Sequence, residues 1–204
     1  MNEGIIKFNV EKWINTPPID KEIYQDIEKI RKKLYDLKFI GCYEENGLGY
    51  GNISQKIDEK SFVISGSQTG HLSDLNGENY SVVEKVDFEK NSIVCRGFCK
   101  PSSEAITHAA FYASNKNITS VIHIHNLKIW EKMIKDADVF STPLEAEYGS
   151  VKLYQSIFEL LREKSDFFPL VIVMKGHKEG VISAGQSVQT AFEELINRVK
   201  TYQN

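Results

Sequence analysis

The chain has 204 residues, 41% of them hydrophobic and 26% charged, with a formal net charge of -3. A chain of that length buries a sizeable core as one domain and does not need disulfides for stability. The composition is that of an ordinary globular protein, and its acidic balance excludes a generally basic nucleic-acid binder.

Residues 1–19 read as an irregular lead-in ending in Pro17-Pro18-Ile19. The first residues carry no signal-peptide pattern, and no apolar run in the chain approaches the length needed to span a membrane. The expectation is a cytoplasmic protein without a membrane partner. Asp20 suits a helix N-cap. After it Ile23, Ile27, Ile30, Leu34 and Leu37 recur at steps of four and three, an amphipathic helix that Gly41 would end. Arg31-Lys32-Lys33, the densest basic cluster, reads as a solvated face of that helix.

Gly47, Gly49 and Gly51 mark a loop whose backbone turns tightly or approaches something closely. No Gly-Lys-Ser/Thr follows, so it is not a P-loop. Ser61–Ser65 reads as a strand and leads into a polar loop, Gly66-Ser67-Gln68-Thr69-Gly70-His71. Val82–Val86 and Ser92–Arg96 read as two more strands around a turn at Glu89-Lys90-Asn91. The three cysteines, Cys42, Cys95 and Cys99, form neither a disulfide-like pattern nor a complete zinc-binding set, and read as packing or surface residues of a reducing compartment.

Pro101-Ser102-Ser103-Glu104 has the composition of a helix start: serines cap backbone N–H groups and a first-turn glutamate complements the dipole. Thr119–Asn126, rich in Val and Ile, reads as a strand. In it His123 and His125 lie two apart, on one face and roughly 6.5–7 Å apart. Taken alone, the pair fits either two ligands of one metal ion or two polar residues on the wet face of a half-exposed strand. Helices follow near residues 127–134 and 150–163. Pro169–Met174 is a continuous apolar run, read as a buried strand. Gly180–Gly185 would be its hairpin partner, and a helix with Val188, Ala191, Phe192, Leu195, Ile196 and Val199 on one face closes the chain. The whole, residues 1–204 with a core from about 20 to 200, reads as one α/β domain of interleaved helices and sheet.

A metal site needs a third protein ligand. His177, at the end of the predicted buried strand, is the best candidate, although taken alone it reads more simply as a loop histidine after a glycine. Three imidazoles at an open site suit Zn²⁺, and Co²⁺, Mn²⁺ or Ni²⁺ share that preference.

Five motifs then stand in order: Gly51-Asn52-Ile53-Ser54, Thr69-Gly70, Pro101-Ser102-Ser103-Glu104 with His108, His123-Ile124-His125, and Gly176-His177. Together they resemble the class II aldolase/adducin family across about residues 23–199. The resemblance implies a three-layer α/β/α fold with a central, largely antiparallel sheet, and a homotetramer with active sites at subunit interfaces. It implies Zn²⁺ held by His123, His125 and His177. Glu104 would be general acid/base and able to ligate the metal when substrate is absent. Asn52, Thr69, Gly70, Ser102 and Ser103 would hold a substrate phosphate. Hydroxyls, an amide and backbone N–H groups make a neutral anion cradle of that kind, although Ser102 and Ser103 also read as simple helix caps. The implied activity is a zinc-dependent, aldolase-type lyase acting on a phosphorylated ketose or related hydroxy-carbonyl compound through a metal-stabilised enediolate.

Three departures matter. The loop Ile64–Gly70 differs from the Thr-Pro-Ser/Thr-Gly loop of the sugar-phosphate aldolases, so Ser67 competes with Thr69 and Gly70 for the phosphate. Where those aldolases carry a tyrosine four residues before a Gly-Thr/Ser pair, this chain has Glu145 before Gly149-Ser150, with Tyr148 next to the glycine. A glutamate there resembles methylthioribulose-1-phosphate dehydratase, in which it acts as acid/base, yet those dehydratases generally lack Pro-Ser-Ser-Glu. Glu145 and Glu147 also read as exposed loop carboxylates. Finally, Glu104 is not the aspartate of the ribulose-phosphate 4-epimerase branch. His108, one turn after Glu104, is placed to orient it. A non-catalytic, adducin-like interaction module is the remaining reading. Such domains tend to lose the zinc ligands, which this chain retains.

Overall fold

The computed structural model describes residues 5–163 and 169–203, and statements about structure concern those residues. Nine strands form one sheet: β1 (Asn9–Ile14), β4 (Asn52–Lys56), β5 (Phe62–Ser65), β6 (Tyr80–Asp87), β7 (Ser92–Gly97), β8 (Ser120–His125), β9 (Phe140–Thr142), β10 (Leu170–Met174) and β11 (Gly180–Gly185). Their spatial order is β1-β7-β6-β5-β4-β8-β11-β10-β9. The seven inner strands are antiparallel to their neighbours, whereas the outer strands β1 and β9 pair in parallel with β7 and β10. The sheet is therefore mixed, largely antiparallel with parallel edges. A two-residue ribbon, β2 (Gly41–Cys42) with β3 (Gly49–Tyr50), stands apart from it.

Helices cover both faces. One layer holds α1 (Lys21–Asp36), α3 (Leu127–Met133) and α5 (Val188–Gln203); the other holds α2 (Ala105–Ser114) and α4 (Val151–Glu163). Two hydrophobic clusters fill the gaps. Ile27, Ile30, Leu34, Ile53, Ile122, Ile124, Val181 and Leu195 build the first. Ile64, Ile106, Phe111, Val121, Leu153, Ile172 and Ile182 build the second. Fully burying a Leu, Ile or Phe is worth about 1.5–3 kcal/mol, so these alternating positions choose which face of each strand meets which layer. Along β8, Ile122 and Ile124 face the α1/α5 layer. The period of two then turns Val121, His123 and His125 to the α2 side. The expectation of a wet strand face is overturned: both histidines are buried.

Four local expectations are corrected. The lead-in is not wholly irregular, because β1 forms in it, an exposed edge strand whose partner β7 is over 80 residues away. Helix α1 ends at Leu37 rather than at Gly41, and Lys38 takes the left-handed conformation (φ 58°) that a glycine would have supplied. Arg31 is not part of a solvated face; it is 1% exposed. It pairs with Glu28 at 2.9 Å and donates to the carbonyls of Leu72 and Ser73. Glu28 in turn accepts from the Tyr80 hydroxyl at 2.6 Å and from Leu75 N at 3.0 Å. Helix α1 thereby anchors the segment that follows the Thr69-Gly70 loop. Lastly, the glycine-rich stretch 46–56 is not all loop, because β3 and β4 form in it, and β9, three residues long, is too short to show a period. Cys95 is buried in the second cluster, in keeping with a packing role, and burial pushes its thiol up to about 11. No helix is long and apolar enough to cross a membrane.

Candidate metal centre and phosphate cradle

Strand β8 carries His123 and His125 side by side. The hairpin β10–β11 brings in His177 from its turn. One nitrogen from each of the three rings lies within 4.8 Å of the others. Gly180, opposite His125 in the β8–β11 ladder, makes room for them: a Cβ there would lie 3.1 Å from His123 Cε1 and 3.1 Å from His177 Cγ.

Helix α2 starts one residue after Glu104, not at Pro101, and no side chain caps it. The preceding turn is held instead by Ser102, whose carbonyl accepts from Ala105 N and whose hydroxyl accepts from Glu104 N. This turn drives Glu104 inward, where it is fully buried. Its Oε2 lies 3.0 Å from His123 Nε2 and accepts from Asn52 Nδ2 at 2.8 Å; its Oε1 lies 3.5 Å from His177 Nδ1. Asn52 arrives because β4 pairs with β8 in the register Asn52 opposite His123.

The tautomers follow from the partners. His123 Nδ1 faces the Val181 carbonyl at 3.2 Å, which only accepts; a proton on that nitrogen leaves Nε2 with a lone pair for a cation. His125 Nδ1 faces the Tyr43 hydroxyl at 2.9 Å, and that hydroxyl donates to Glu179 Oε2 at 3.0 Å. It therefore accepts from His125, and His125 Nε2 also presents a lone pair. The two Nε2 atoms are 2.9 Å apart. Two lone pairs at that distance repel unless something positive sits between them.

Electrostatics agree. Burial pushes the His123 imidazole down to about 4, and that of His125 well below its ordinary value. Burial pushes the Glu104 carboxyl up, but His123, His177 and the Asn52 hydrogen bond outweigh it and hold it below the usual carboxylate range. With His123 and His125 kept neutral at pH 7 by burial, neither supplies that buried carboxylate with a counter-charge. Three imidazole nitrogens and one carboxylate facing a common centre fit a divalent cation such as Zn²⁺.

Above this centre opens a cleft lined by Asn52, Ser67, Thr69, Gly70, Ser102, Ser103, Glu104, His125, Tyr148 and His177, with Gly49, Tyr50, Gly51, Gly66 and Gln68. Among the described residues no lysine or arginine lines it. The two halves of the cradle are sewn together by Ser67 N to Lys100 O at 3.0 Å and Ser102 N to Ser65 O at 3.1 Å. Gly70 is required by close approach: a Cβ there would sit 2.0 Å from the Gly41 carbonyl oxygen. Every site residue expected from sequence is in or beneath this cleft except Glu145. In the turn after Pro143, Ala146 and Tyr148 point inward while Glu145 and Glu147 are exposed. Glu145 lies 3.7 Å from Lys152 with its side chain 68% exposed.

Tyr148 reaches the cleft instead, donating a hydrogen bond to Ser103 Oγ and packing on the His177 ring with centroids 4.9 Å apart. Tyr43 and Glu179 also belong to the site. Nothing in sequence pointed to Tyr43, and the signal for Glu179 was only its place two residues after His177.

His108 does not orient Glu104 through its side chain. It turns to Ser54, with Nδ1 2.7 Å from Ser54 Oγ, which also meets the Tyr112 hydroxyl at 2.6 Å. Burial pushes its imidazole down to about 3 from the ordinary 6.5. The unfolded chain thus takes up this proton first, and the folded state loses stability as pH falls from 6.5 towards 3, by about 1.4 kcal/mol per unit. Chelator-treated protein should lose roughly 2 kcal/mol from this residue between pH 7 and 5, and His108→Gln should show a shallower fall of Tm. Parallel Tm-against-pH curves for the two proteins would rule out this assignment.

Residues 43–202 match the Class II Aldolase and Adducin N-terminal domain family. The chain belongs to the class II aldolase and adducin family. A sugar-phosphate aldolase from Thermotoga maritima superposes with a TM-score of 0.66 at 18% identity, covering 90% of this chain and 93% of that one. YgbL from Klebsiella pneumoniae, described as an aldolase/epimerase/decarboxylase, gives 0.66 at 15% identity over 90% and 87%. At such identities the likeness is one of fold. The 3-oxo-tetronate 4-phosphate decarboxylase of Haemophilus influenzae is 35% identical over 80 residues, which is 38% of this chain and 34% of that protein. The match thus spans about a third of that curated relative. The three-layer class II aldolase fold is as the motifs implied.

Proposed function

We propose that this member of the family is a divalent-metal-dependent carbon–carbon lyase, aldolase-type, acting on a phosphorylated ketose or related hydroxy-carbonyl compound. The observation that carries the reading is Glu104: a buried carboxylate between His123 and His177, on the floor of a cleft whose walls are hydroxyls and backbone. His123, His125 and His177 would hold the metal, which supplies Lewis acidity to a substrate oxygen. The remaining chemistry belongs to the chain. Tyr148 donates to Ser103 Oγ, which frees the serine proton for a phosphate oxygen. Ser102, Thr69 and the Gly70 backbone complete a neutral anion cradle. Asn52 holds Glu104 Oε2, so Oε1 is left to carry a proton to the carbon that retains the electron pair when the bond breaks.

A second reading shares these steps: loss of CO₂ from a 3-oxo acid phosphate. The 80-residue likeness to a decarboxylase supports it, and so does the number of carboxylates that one chain brings to its own cleft. Releasing an aldehyde needs a second acid/base on the leaving side, whereas releasing CO₂ does not. Among the described residues Glu104 is the one carboxylate lining the cleft. The dehydratase reading, which needs Glu145 as acid/base, draws no support from its exposed position. A homotetramer with interfacial active sites, zinc as the resident metal and a cytoplasmic setting complete the proposal. Solution mass and elemental analysis test the first two, and fractionation of source cells tests the third.

The deciding experiment is a panel of ketose 1-phosphates and 3-oxo-tetronate 4-phosphates with metal-loaded protein, scoring aldehyde and CO₂ separately. Aldehyde release supports the first reading and CO₂ the second. Turnover of neither class, with metal bound, would sink both.

A further inference from the structure

We propose that Tyr43 and Glu179 are positioning residues that fix the ring orientation and tautomer of His125. The proposal rests on the reading of the three histidines as ligands of a divalent cation. Tyr43, on the turn before β3, stands 82 positions from His125 and 136 from Glu179, yet its hydroxyl meets both, at 2.9 Å and 3.0 Å. The direct separation from His125 Nδ1 to Glu179 Oε2 is 3.9 Å, too long for a hydrogen bond, so the tyrosine is the necessary intermediary. A carboxylate oxygen accepts, the phenol donates to it, and the phenol oxygen is left to accept from Nδ1–H. Only that order of donors aims the Nε2 lone pair at the centre shared with His123. The opposite tautomer would place an N–H there and block a cation.

Further features of the molecule serve the relay. Glu179 adopts φ 71°, a left-handed conformation uncommon outside glycine. Its carbonyl accepts from Asn126 N at 2.9 Å, which ties the turn to the end of β8. Tyr50 stacks on the His125 ring, with centroids 5.4 Å apart and planes 27° apart, and Tyr43 packs against Tyr50. The ring is thus clamped on its face and at its Nδ1 edge. Such carboxylate-backed histidines are the general means by which proteins orient a ligand imidazole.

Two readouts test this. In chelator-treated protein, long-range ¹H–¹⁵N NMR should show His125 as the Nδ1–H tautomer, and Tyr43→Phe should mix the tautomers. In competition with a chromophoric chelator, Tyr43→Phe and Glu179→Ala should weaken Zn²⁺ binding by roughly 10–100-fold. Glu179→Gln, which keeps an acceptor oxygen but loses the charge, should fall between wild type and Glu179→Ala, whereas Lys178→Gln, an exposed change in the same turn, should stay close to wild type. If Tyr43→Phe folds poorly, Glu179→Ala carries the same test. An unchanged tautomer together with unchanged Zn²⁺ affinity in both variants overturns the proposal. If wild-type protein binds no Zn²⁺ but its His125 tautomer still depends on Tyr43, the metal reading fails and the relay stands.

Discussion

Glu104→Gln should lower kcat by roughly 10²–10⁴-fold, the range for loss of a general acid/base, with the fold preserved. Glutamine has the shape of glutamate and keeps an oxygen to accept from Asn52 Nδ2, which now reaches Glu104 Oε2 at 2.8 Å. What it lacks is a proton to move and a negative charge among the histidines. Glutamine avoids the cost of burying a charge but gives up the interactions with His123, His177 and Asn52 that hold the carboxyl below the usual range, so metal-free Glu104→Gln should stay folded with a Tm close to wild type. That pairing separates a chemical role from a structural one. The measurement is kcat and Tm side by side on metal-loaded and stripped protein. If kcat stays within about threefold of wild type, Glu104 carries no proton; if Tm collapses, it is a packing residue.

Stripping divalent metal should abolish turnover, and restoring it should raise Tm. Zn²⁺ at 100 times its Kd stabilises the folded state by about 2.7 kcal/mol, which for a chain of this size is roughly 5–10 °C. The cause is local. With both protons on Nδ1, two Nε2 lone pairs face each other at 2.9 Å, and the buried Glu104 carboxylate lies 3.0 Å from a His123 imidazole that burial keeps neutral. A cation relieves both. His123→Ala, which removes the ligand nearest Glu104 Oε2, should lose turnover and most of the Zn²⁺-induced rise in Tm. Elemental analysis and melting curves check the pair of expectations. An unchanged Tm with excess Zn²⁺, Co²⁺ and Mn²⁺ would remove the metal centre from the account.

Most elements were legible because their signals are local. The steps of four and three in α1, the apolar run of β10 and the alternation in β8 each follow from one chain segment and its period. β1 escaped, since it is an exposed edge strand that exists only because β7 is there to pair with it. Arg31 was misjudged because a basic residue beside two lysines looks solvated until Glu28, Tyr80 and the Leu72–Ser73 backbone close around it. His108 is a related case: spacing puts it one turn from Glu104, where it either orients the carboxylate or packs elsewhere, and Ser54 from β4 takes its ring.

The site divides in the same way. The identities of the ligands and the cradle residues lay in five short motifs, because each is a local chemical set that the backbone presents together. The motifs alone carried the family, and they pointed to the three histidines, Glu104 and a neutral cradle as the candidate site. Tertiary structure alone decided that Glu145 faces solvent, that Tyr148 reaches Ser103, and that Tyr43 and Glu179 stand behind His125. Those contacts join residues 45 to 136 positions apart. Sequence spacing says nothing of such distances; strand register and the turn after β10 set them.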